Sequence, residues 1–336
     1  MKAVAYQTSL PITDERSLMD VELPVPEPMG RDVLVEIKAI SANPVDTKVR
    51  RSSSAPEGQW KVLGWDAVGV VRAVGADVSL FKVGDEVWYA GDITRAGANS
   101  ELHVVDERIV GRKPSALSFA EAAALPLTSI TAWEILFDRL LIAKNGDAKK
   151  NIIIMGAAGG VGSIMVQLLR ELTQFTIIGT ASRPDTHDWL KQLGVHHVIN
   201  HHEPLAPQLT AVGIESVDYA ASLTHSHLYF EQLAQLLAPQ GHFALIDDPE
   251  YIDVRLFKRK SISLSWESMF TRSMFKTDDM IAQHELLNEV ADMVDAGRIT
   301  STVAERFGLI NAENLRRAHA LLESGNSRGK IVLEGF

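Results

Sequence analysis

Apolar and polar positions alternate with the period of a β-strand along much of the first third of the chain. Val33-Leu34-Val35-Glu36-Ile37-Lys38-Ala39-Ile40, Gly69-Val70-Val71-Arg72-Ala73-Val74 and Glu86-Val87-Trp88-Tyr89 each read as a strand. Turn formers separate them: Pro24, Pro26, Pro28, Gly30, Gly75 and the pair Gly84-Asp85. No segment of helical period and length intervenes before Ser118. A compact, barrel-like β domain is the expected solution.

The pattern changes at Ser118-Phe119-Ala120-Glu121, which has the form of a capping box before an Ala-rich helix. Strands and helices then alternate. The expected strands are Asn151–Met155, Phe175–Thr180, His197–Asn200, Val217–Ala221 and His242–Ile246. The helical runs between them are Val161–Thr173, Pro184–Leu193 and Ser226–Leu237. This βαβαβ rhythm predicts an α/β fold with a doubly wound parallel sheet. After residue 265 the pattern is helical again, over His284–Ala296 and Ala312–Glu323, before a short strand at Lys330–Leu333. There is no internal repeat and no low-complexity tract.

Composition narrows the function classes. A chain of 336 residues suggests two domains and can bury a large core without staples. It contains no cysteine, which excludes disulfides and thiolate metal sites. The formal charge of −10 disfavours nucleic acid and anionic membrane as partners. The uncharged run Asn151–Leu169 holds four glycines, so strand, turn and helix explain it better than a membrane span. The N-terminal stretch lacks the apolar core of a secretion signal, and a cytoplasmic location is expected.

The strongest motif is Gly156-Ala157-Ala158-Gly159-Gly160-Val161-Gly162, which follows Ile152-Ile153-Ile154-Met155 and opens a helix. That context is the one a dinucleotide-binding turn needs. Glycines let the backbone turn tightly and approach a pyrophosphate, and the helix start supplies N–H groups and the positive dipole end. Ala157 stands where the strict pattern has its first glycine. In NAD-binding proteins an acidic residue about 20 positions on takes the ribose 2′-hydroxyl. Here that count reaches Ser182 in Gly179-Thr180-Ala181-Ser182-Arg183-Pro184, with no carboxylate before Asp185. Ser182 can donate to a 2′-phosphate and Arg183 can pair with it bidentately, so NADPH is the expected cofactor.

The glycine turn resembles that of quinone-oxidoreductase-like proteins of the medium-chain dehydrogenase/reductase superfamily. Asn43-Pro44-Val45-Asp46-Thr47 is similar to the family's active-site segment. Gly64-Trp65-Asp66-Ala67-Val68-Gly69 sits where zinc alcohol dehydrogenases carry a GHE signature. Leu125 to Trp133 resembles the hinge helix, and Gly329-Lys330-Ile331-Val332-Leu333 the closing strand. The nearest subgroup is that of the zinc-type alcohol dehydrogenase-like proteins. The resemblance implies a GroES-like catalytic domain over residues 1–124, a Rossmann NADP-binding domain over 125–265, and a segment over 266–336 that completes the first domain. It extends the cofactor set to Asn200, Ile246 and Lys330.

The resemblance places Asn43 at a zinc-ligand cysteine and Trp65 at a zinc-ligand histidine, and neither is a credible ligand. No metal is therefore expected. His196-His197-Val198-Ile199-Asn200-His201-His202 holds four of the eleven histidines, but its two pairs lie at opposite ends of a strand. Without zinc, side chains must polarise the acceptor oxygen. Asn43 is the first candidate, Lys48 the second, and Thr128 a contact to nicotinamide or substrate. Asp46 and Asp66 read as structural carboxylates, and Trp65, Trp266, Met269 and Phe270 as walls of an acceptor pocket. The expected reaction is hydride transfer from NADPH to a quinone or an α,β-unsaturated carbonyl, small electrophilic acceptors that need no strong Lewis acid. Two alternatives stand beside it: activity on small carbonyls of the zinc-type alcohol dehydrogenase kind, and a non-catalytic NADPH-binding protein. Ser261-Ile262-Ser263-Leu264-Ser265 reads as an edge strand, which the resemblance implies is paired in a homodimer.

Overall fold

The computed structural model describes residues 1–146 and 149–336. The first stretch forms β1 (Lys2–Tyr6), β2 (Met19–Glu22), β3 (Asp32–Ala42), α1 (Pro44–Ser52), β4 (Lys61–Val62), β5 (Ala67–Val74), β6 (Glu86–Tyr89), β7 (Leu102–Asp106), β8 (Val110–Arg112), α2 (Phe119–Ala123) and α3 (Pro126–Trp133). The middle forms β9 (Asn151–Met155), α4 (Gly160–Leu172), β10 (Thr176–Thr180), α5 (Pro184–Leu193), β11 (His197–Ile199), α6 (Leu205–Ala211), β12 (Val217–Ser222), α7 (Ser226–Leu236), β13 (Leu237–Leu245) and β14 (Ser263–Trp266). The last stretch forms α8 (Thr271–Phe275), α9 (Ala282–Asp295), β15 (Val303–Arg306), α10 (Ala312–Glu323) and β16 (Lys330–Glu334).

Two compact units result: Met1–Ile130 with Phe270–Phe336, and Thr131–Met269. The joins fall inside α3 and after β14. In the first unit a seven-stranded sheet runs β15-β16-β3-β5-β6-β8, with β7 also on β3, beside a three-stranded sheet β2-β1-β4. The eleven-residue β3 is the spine: it pairs antiparallel with β5, β7 and β16. Val33, Val35, Ile37, Ala39 and Ile40 are all buried along it. Pairing of Val332 with Ser41 brings the end of the chain home to its beginning.

One expectation fails here. The first 118 residues are not free of helix, because α1 follows β3 directly. Its start is built by Pro44 at the first helical position and by the Asp46 carboxylate, which accepts the Asn43 N–H at 2.7 Å. The helix buries Asp46, Thr47 and Arg50, polar residues that carry no apolar periodicity.

In the second unit the six strands run β11-β10-β9-β12-β13-β14, all parallel. This is the doubly wound order, whose reversal point lies between the first and fourth strands of the unit, here β9 and β12. A parallel sheet covered on both faces needs apolar residues on both sides of each strand. Ile152, Ile153, Ile154 and Met155 meet that need and are fully buried. Phe230, Phe243 and Phe257 pack together on one side of the sheet, with centroids 4.7–5.5 Å apart. Among the described residues β14 pairs with β13 alone and forms the edge.

Two glycines in the turn after β9 have different reasons to be glycine. Gly156 has φ +75°, a left-handed conformation that glycine adopts without strain. A Cβ on Gly162 would lie 2.3 Å from the Ala157 carbonyl oxygen, so α4 can close on the turn only without a side chain there. Gly162→Ala is expected to destabilise the protein by about 1–3 kcal/mol, the usual range for overpacking. Gly159→Ala should change stability far less, since Gly159 has extended φ −73° and its nearest obstacle is at 3.4 Å. Urea unfolding of both variants checks this; equal stabilities would show that the close approach carries no weight.

Candidate active site

The second unit carries the turn read from sequence as phosphate-binding. Gly156 N–H donates to Thr180 Oγ1 at 3.0 Å, tying the turn to the end of the neighbouring strand. Gly159 N–H closes the turn on the Gly156 carbonyl at 3.1 Å. Gly159 is also the N-cap of α4 and has no side-chain oxygen to cap it. The first amides of α4, from Gly160, Val161 and Gly162, therefore form an anion-binding helix start beside Ala158. The site residues fit a pyrophosphate in composition, backbone conformation and helix polarity.

The flanking strands carry the rest of the predicted cofactor set. Ser182 and Arg183 lie between β10 and α5 and are half-buried. Arg183 Nε meets Asp185 Oδ1 at 3.4 Å, a loose pair with both side chains accessible. Asn200 builds the turn after β11: its N–H goes to Gln208 Oε1 at 2.8 Å and its Oδ1 accepts the His202 N–H at 3.0 Å. Ile246 N–H extends the β13 ladder to Ser222 O at 3.3 Å. Sequence reading missed Ser222, Ser226 and Asp247. Asp247 accepts the Ser226 N–H at 2.7 Å and also its hydroxyl, which leaves Ser226 Oγ to accept from the Ser222 hydroxyl at 2.7 Å. An aspartate two positions beyond a strand and a serine at a helix start were the only signals of this cap.

In the first unit Asn43, Asp46, Asp66 and Lys330 form one buried polar cluster. Lys330 Nζ donates to Asp66 Oδ2 at 2.9 Å, to Ala42 O at 3.2 Å and to Asn43 Oδ1. The Asn43 amide nitrogen in turn faces Asp66 Oδ2 at 3.1 Å, Ser41 O at 3.2 Å and Trp65 O at 3.4 Å. Asp66 Oδ1 accepts the Leu127 N–H at 2.9 Å, and Asp46 Oδ1 accepts the Gly64 N–H at 3.1 Å. Burial pushes the Asp46 carboxyl up to about 7, against the Asn43 N–H and the Lys330 charge. Burial also raises Asp66, opposed by Lys330 and by the Leu127 N–H. Four chain segments are thus tied at one point.

This arrangement bears on two of the expected site residues. Lys330 was expected to touch the cofactor, but its ammonium is 3% exposed and three protein acceptors take its hydrogens. Asn43 is 1% exposed, and its amide is turned inward onto protein acceptors, so in this arrangement it does not offer a donor to an acceptor molecule. Lys48 is exposed on α1. Thr128 is buried, and its hydroxyl bonds back to the carbonyl of Leu125, just before α3, at 3.1 Å. Trp65 and Phe270 meet edge to face at 6.0 Å, and Trp65 Nε1 donates to Asp92 O at 3.3 Å. Trp266 and Met269 belong to the second unit, where Trp266 is half-exposed at the end of β14 and Met269 is buried.

A second buried carboxylate cluster was not read from sequence. A π-helical turn over Glu134–Arg139 places its first and last side chains on one side, and Glu267 meets them from the end of β14. Arg139 Nε lies 2.8 Å from Glu267 Oε2, and Arg139 Nη2 lies 3.9 Å from Glu134 Oε2. Burial, then the Glu134 charge beside it, pushes the Glu267 carboxyl up to about 9. Glu267 therefore holds its proton far above the ordinary carboxylate range, because a second negative charge beside Glu134 is costly out of water.

The donor set does not fit a catalytic zinc. Such a site needs three or four thiolate, imidazole or carboxylate ligands converging on one point. Among the described residues no group of three or more His, Cys, Asp or Glu side chains is arranged to hold a metal. Asn43 gives its oxygen to Lys330, and the Trp65 indole has only an N–H, which it donates. No described helix is long and apolar enough to cross a membrane.

Comparison with known proteins places the chain among the dehydrogenases and reductases of this fold. Residues 30–132 match the family model of the alcohol dehydrogenase GroES-like domain, and residues 193–333 match that of the zinc-binding dehydrogenases. A zinc-type alcohol dehydrogenase-like protein of Staphylococcus aureus is 38% identical over 99% of both chains. A chloroplastic quinone-oxidoreductase homolog of Spinacia oleracea is 27% identical over 99% of this chain and 98% of its own. Among solved structures, a Rhizobium etli CFN 42 protein provisionally named a zinc-dependent alcohol dehydrogenase is 57% identical, with TM-score 0.97 over 100% of this chain and 98% of its own. The quinone oxidoreductase of Escherichia coli complexed with NADPH is 25% identical, with TM-score 0.84 over 99% of this chain and 100% of its own.

Two outcomes are expected from these clusters. Lys330→Met leaves Asp66 buried without its cation and should destabilise by about 3–5 kcal/mol, while adding Asp66→Asn should restore part of the loss. Denaturant unfolding of the single and double variants measures both; a single variant as stable as the parent would show that the pair carries no load. The Glu267 proton gives a pH slope. Its folded-state pKa lies above the unfolded one, so its contribution is full below the ordinary carboxylate range and is lost as pH rises towards about 9. Stability should fall across that window by up to about 1.4 kcal/mol per pH unit for this one proton. Glu267→Gln should flatten the slope, and a slope unchanged in that variant would assign it elsewhere.

Proposed function

The chain belongs to the medium-chain dehydrogenase/reductase superfamily, in its quinone-oxidoreductase-like branch, and from that membership we propose an NADPH-dependent, metal-independent reduction of quinones or α,β-unsaturated carbonyls. Membership makes it an oxidoreductase. The cofactor, the acceptor class and the independence from zinc are the proposal.

One observation carries it. The open turn of Gly156 to Gly162 is followed at the next strand end by Ser182 and Arg183, with the first carboxylate only at Asp185. An NAD site would be expected to present an acidic side chain to the ribose diol there. A hydroxyl and a guanidinium suit a phosphate instead. The likeness to a quinone oxidoreductase that binds NADPH supports the same choice.

Bound NADPH supplies the hydride. The chain's own residues do the rest. The amides at the start of α4 hold the pyrophosphate, and Ser182 and Arg183 hold the 2′-phosphate. The Lys330–Asp66–Asn43 cluster keeps the start of α1 rigid, which fixes the base of Lys48. Lys48, exposed on that helix, is the group proposed to donate to the acceptor oxygen or deliver its proton. Thr128 spends its hydrogen on the Leu125 carbonyl but keeps lone pairs that can take an amide N–H. Quinones and enones are electrophilic enough for hydride to add without a Lewis acid.

The test is a set of initial-rate assays with NADPH and NADH against quinones, enones, saturated aldehydes and simple alcohols, with metal analysis of the same sample. NADPH should be preferred, and turnover should concentrate on quinones and enones. Arg183→Ala removes a charge-assisted bond worth about 1.5–3 kcal/mol, so the NADPH KM should rise roughly 10- to 100-fold while the NADH KM hardly moves. A preference for NADH, or activity confined to alcohols and dependent on stoichiometric zinc, would overturn the reading.

A further inference from the structure

Past the carboxyl ends of β10, β11 and β12 lies a group of basic and titratable side chains that the phosphate turn does not use. Arg183 precedes α5, His201 and His202 follow β11, and His225 and His227 flank the start of α7. The His201 and His202 rings are 4.4 Å apart, and Tyr229 of α7 meets His201 edge-on at 6.1 Å. The His225 and His227 rings are 6.3 Å apart. His225 has the left-handed φ of 50°, and Thr224 Oγ1 fixes its ring through Nδ1 at 2.7 Å. The buried Nδ1 of His201 has no hydrogen-bond partner. Burial first, then the charges of His202, His225 and Arg183, hold His201 below the usual histidine value.

The nearby acidic groups have other partners. Asp185 pairs loosely with Arg183 at 3.4 Å, Glu203 takes a 3.5 Å contact from Asn200, and Asp247 caps α7. Among the described residues these histidines do not form a metal-holding group. Among the described residues no carboxylate bonds these imidazoles, and Asp185 faces the group only through Arg183. Ser182 adds a hydroxyl and Arg183 a fixed cation. The ligand chemistry that fits is a phosphate monoester, a dianion with three acceptor oxygens whose second ionisation falls near 6.

Building on the NADPH reading above, we propose that His201, His202 and His225 join Ser182 and Arg183 in a titratable 2′-phosphate site, so that selectivity for NADPH over NADH rises as pH falls from about 8.5 to about 6.5. In the free protein, burial first and then the neighbouring positive charge favour the neutral imidazole of His201. A bound dianion reverses the balance and raises the imidazoles' affinity for protons. Binding then takes up protons, and a ligand whose binding takes up protons binds more tightly at lower pH. NADH shares every other contact but lacks the 2′-phosphate. The ratio of the two dissociation constants therefore isolates this site. Below about 6 the phosphate loses its own second charge, so the ratio should level off there.

The experiment measures dissociation constants for NADPH and NADH by titration calorimetry between pH 6 and 8.5. The proteins are the parent, His201→Gln with His225→Gln, and Arg183→Ala; NADH binding reports that each variant is folded. In the parent the NADH-to-NADPH ratio should rise about 10-fold from the top to the middle of that range, as one added charge–charge contact predicts. The double histidine variant should lose most of that rise while still preferring NADPH at high pH. Arg183→Ala should lower the ratio at every pH and keep the rise. A ratio that is constant with pH in the parent, or a rise that survives in the double histidine variant, overturns the histidine site. A ratio near one at every pH in the parent overturns the NADPH reading itself.

Discussion

One buried ammonium joins the two ends of this chain. Lys330 reaches Asp66 across 264 positions and Asn43 across 287. An unpaired charge at that depth would be too costly to keep, so the fold must deliver all three partners together. β16 can supply Lys330 only by lying against β3, where Val332 pairs with Ser41. The same contact fixes Asn43 at the mouth of α1, and Asp46, one turn on, pins α1 to the Gly64 backbone. Asp66 then ties the start of α3 through Leu127. The most constrained point of the first unit is therefore also where the residues nearest the proposed chemistry are held.

The second unit is organised by a different physics. Its sheet needs no buried ion pair to set its order, because parallel strands with apolar side chains on both faces and helical crossovers favour one winding. What the sheet provides is polarity of direction. All six strands end on the same side of the sheet, so the loops at those ends share one edge of the unit. The glycine turn, Ser182, the histidines and the Asp247 cap all sit on such loops. Their convergence follows from the topology.

That difference explains what could be read along the chain and what could not. The strands around the glycine turn were legible since their signal is local: Ile152-Ile153-Ile154 needs no partner to look like a strand. Gly162 was legible for the same reason, as part of a spacing. α1 was not, because its nine residues bury Asp46, Thr47 and Arg50 and carry no apolar stripe. Only Asn43-Pro44 with Asp46 three positions on marks its start, a cap signal that lies within the segment similar to the family's active-site motif. The lock on Lys330 was beyond reach, for nothing local distinguishes a lysine aimed at a cofactor from one aimed at an aspartate 264 positions away. The pair of Glu134 and Glu267 was hidden likewise, being assembled by a π-turn that no periodicity announces.

The lock also bears on what the site could do without a metal, as proposed. A zinc ion with three protein ligands keeps a fourth position open and draws charge from an acceptor oxygen through it. The Lys330 ammonium has three hydrogens, and Asp66, Asn43 and the Ala42 carbonyl receive them. It is a cation with no open position, paired with the neighbouring Asp66 carboxylate at 2.9 Å. The cluster can hold geometry but cannot polarise an acceptor. On the proposed function, the acceptor must bring its own electrophilicity. The protein's part is then placement, which depends on rigidity and asks for a buried, fully bonded cluster of this kind.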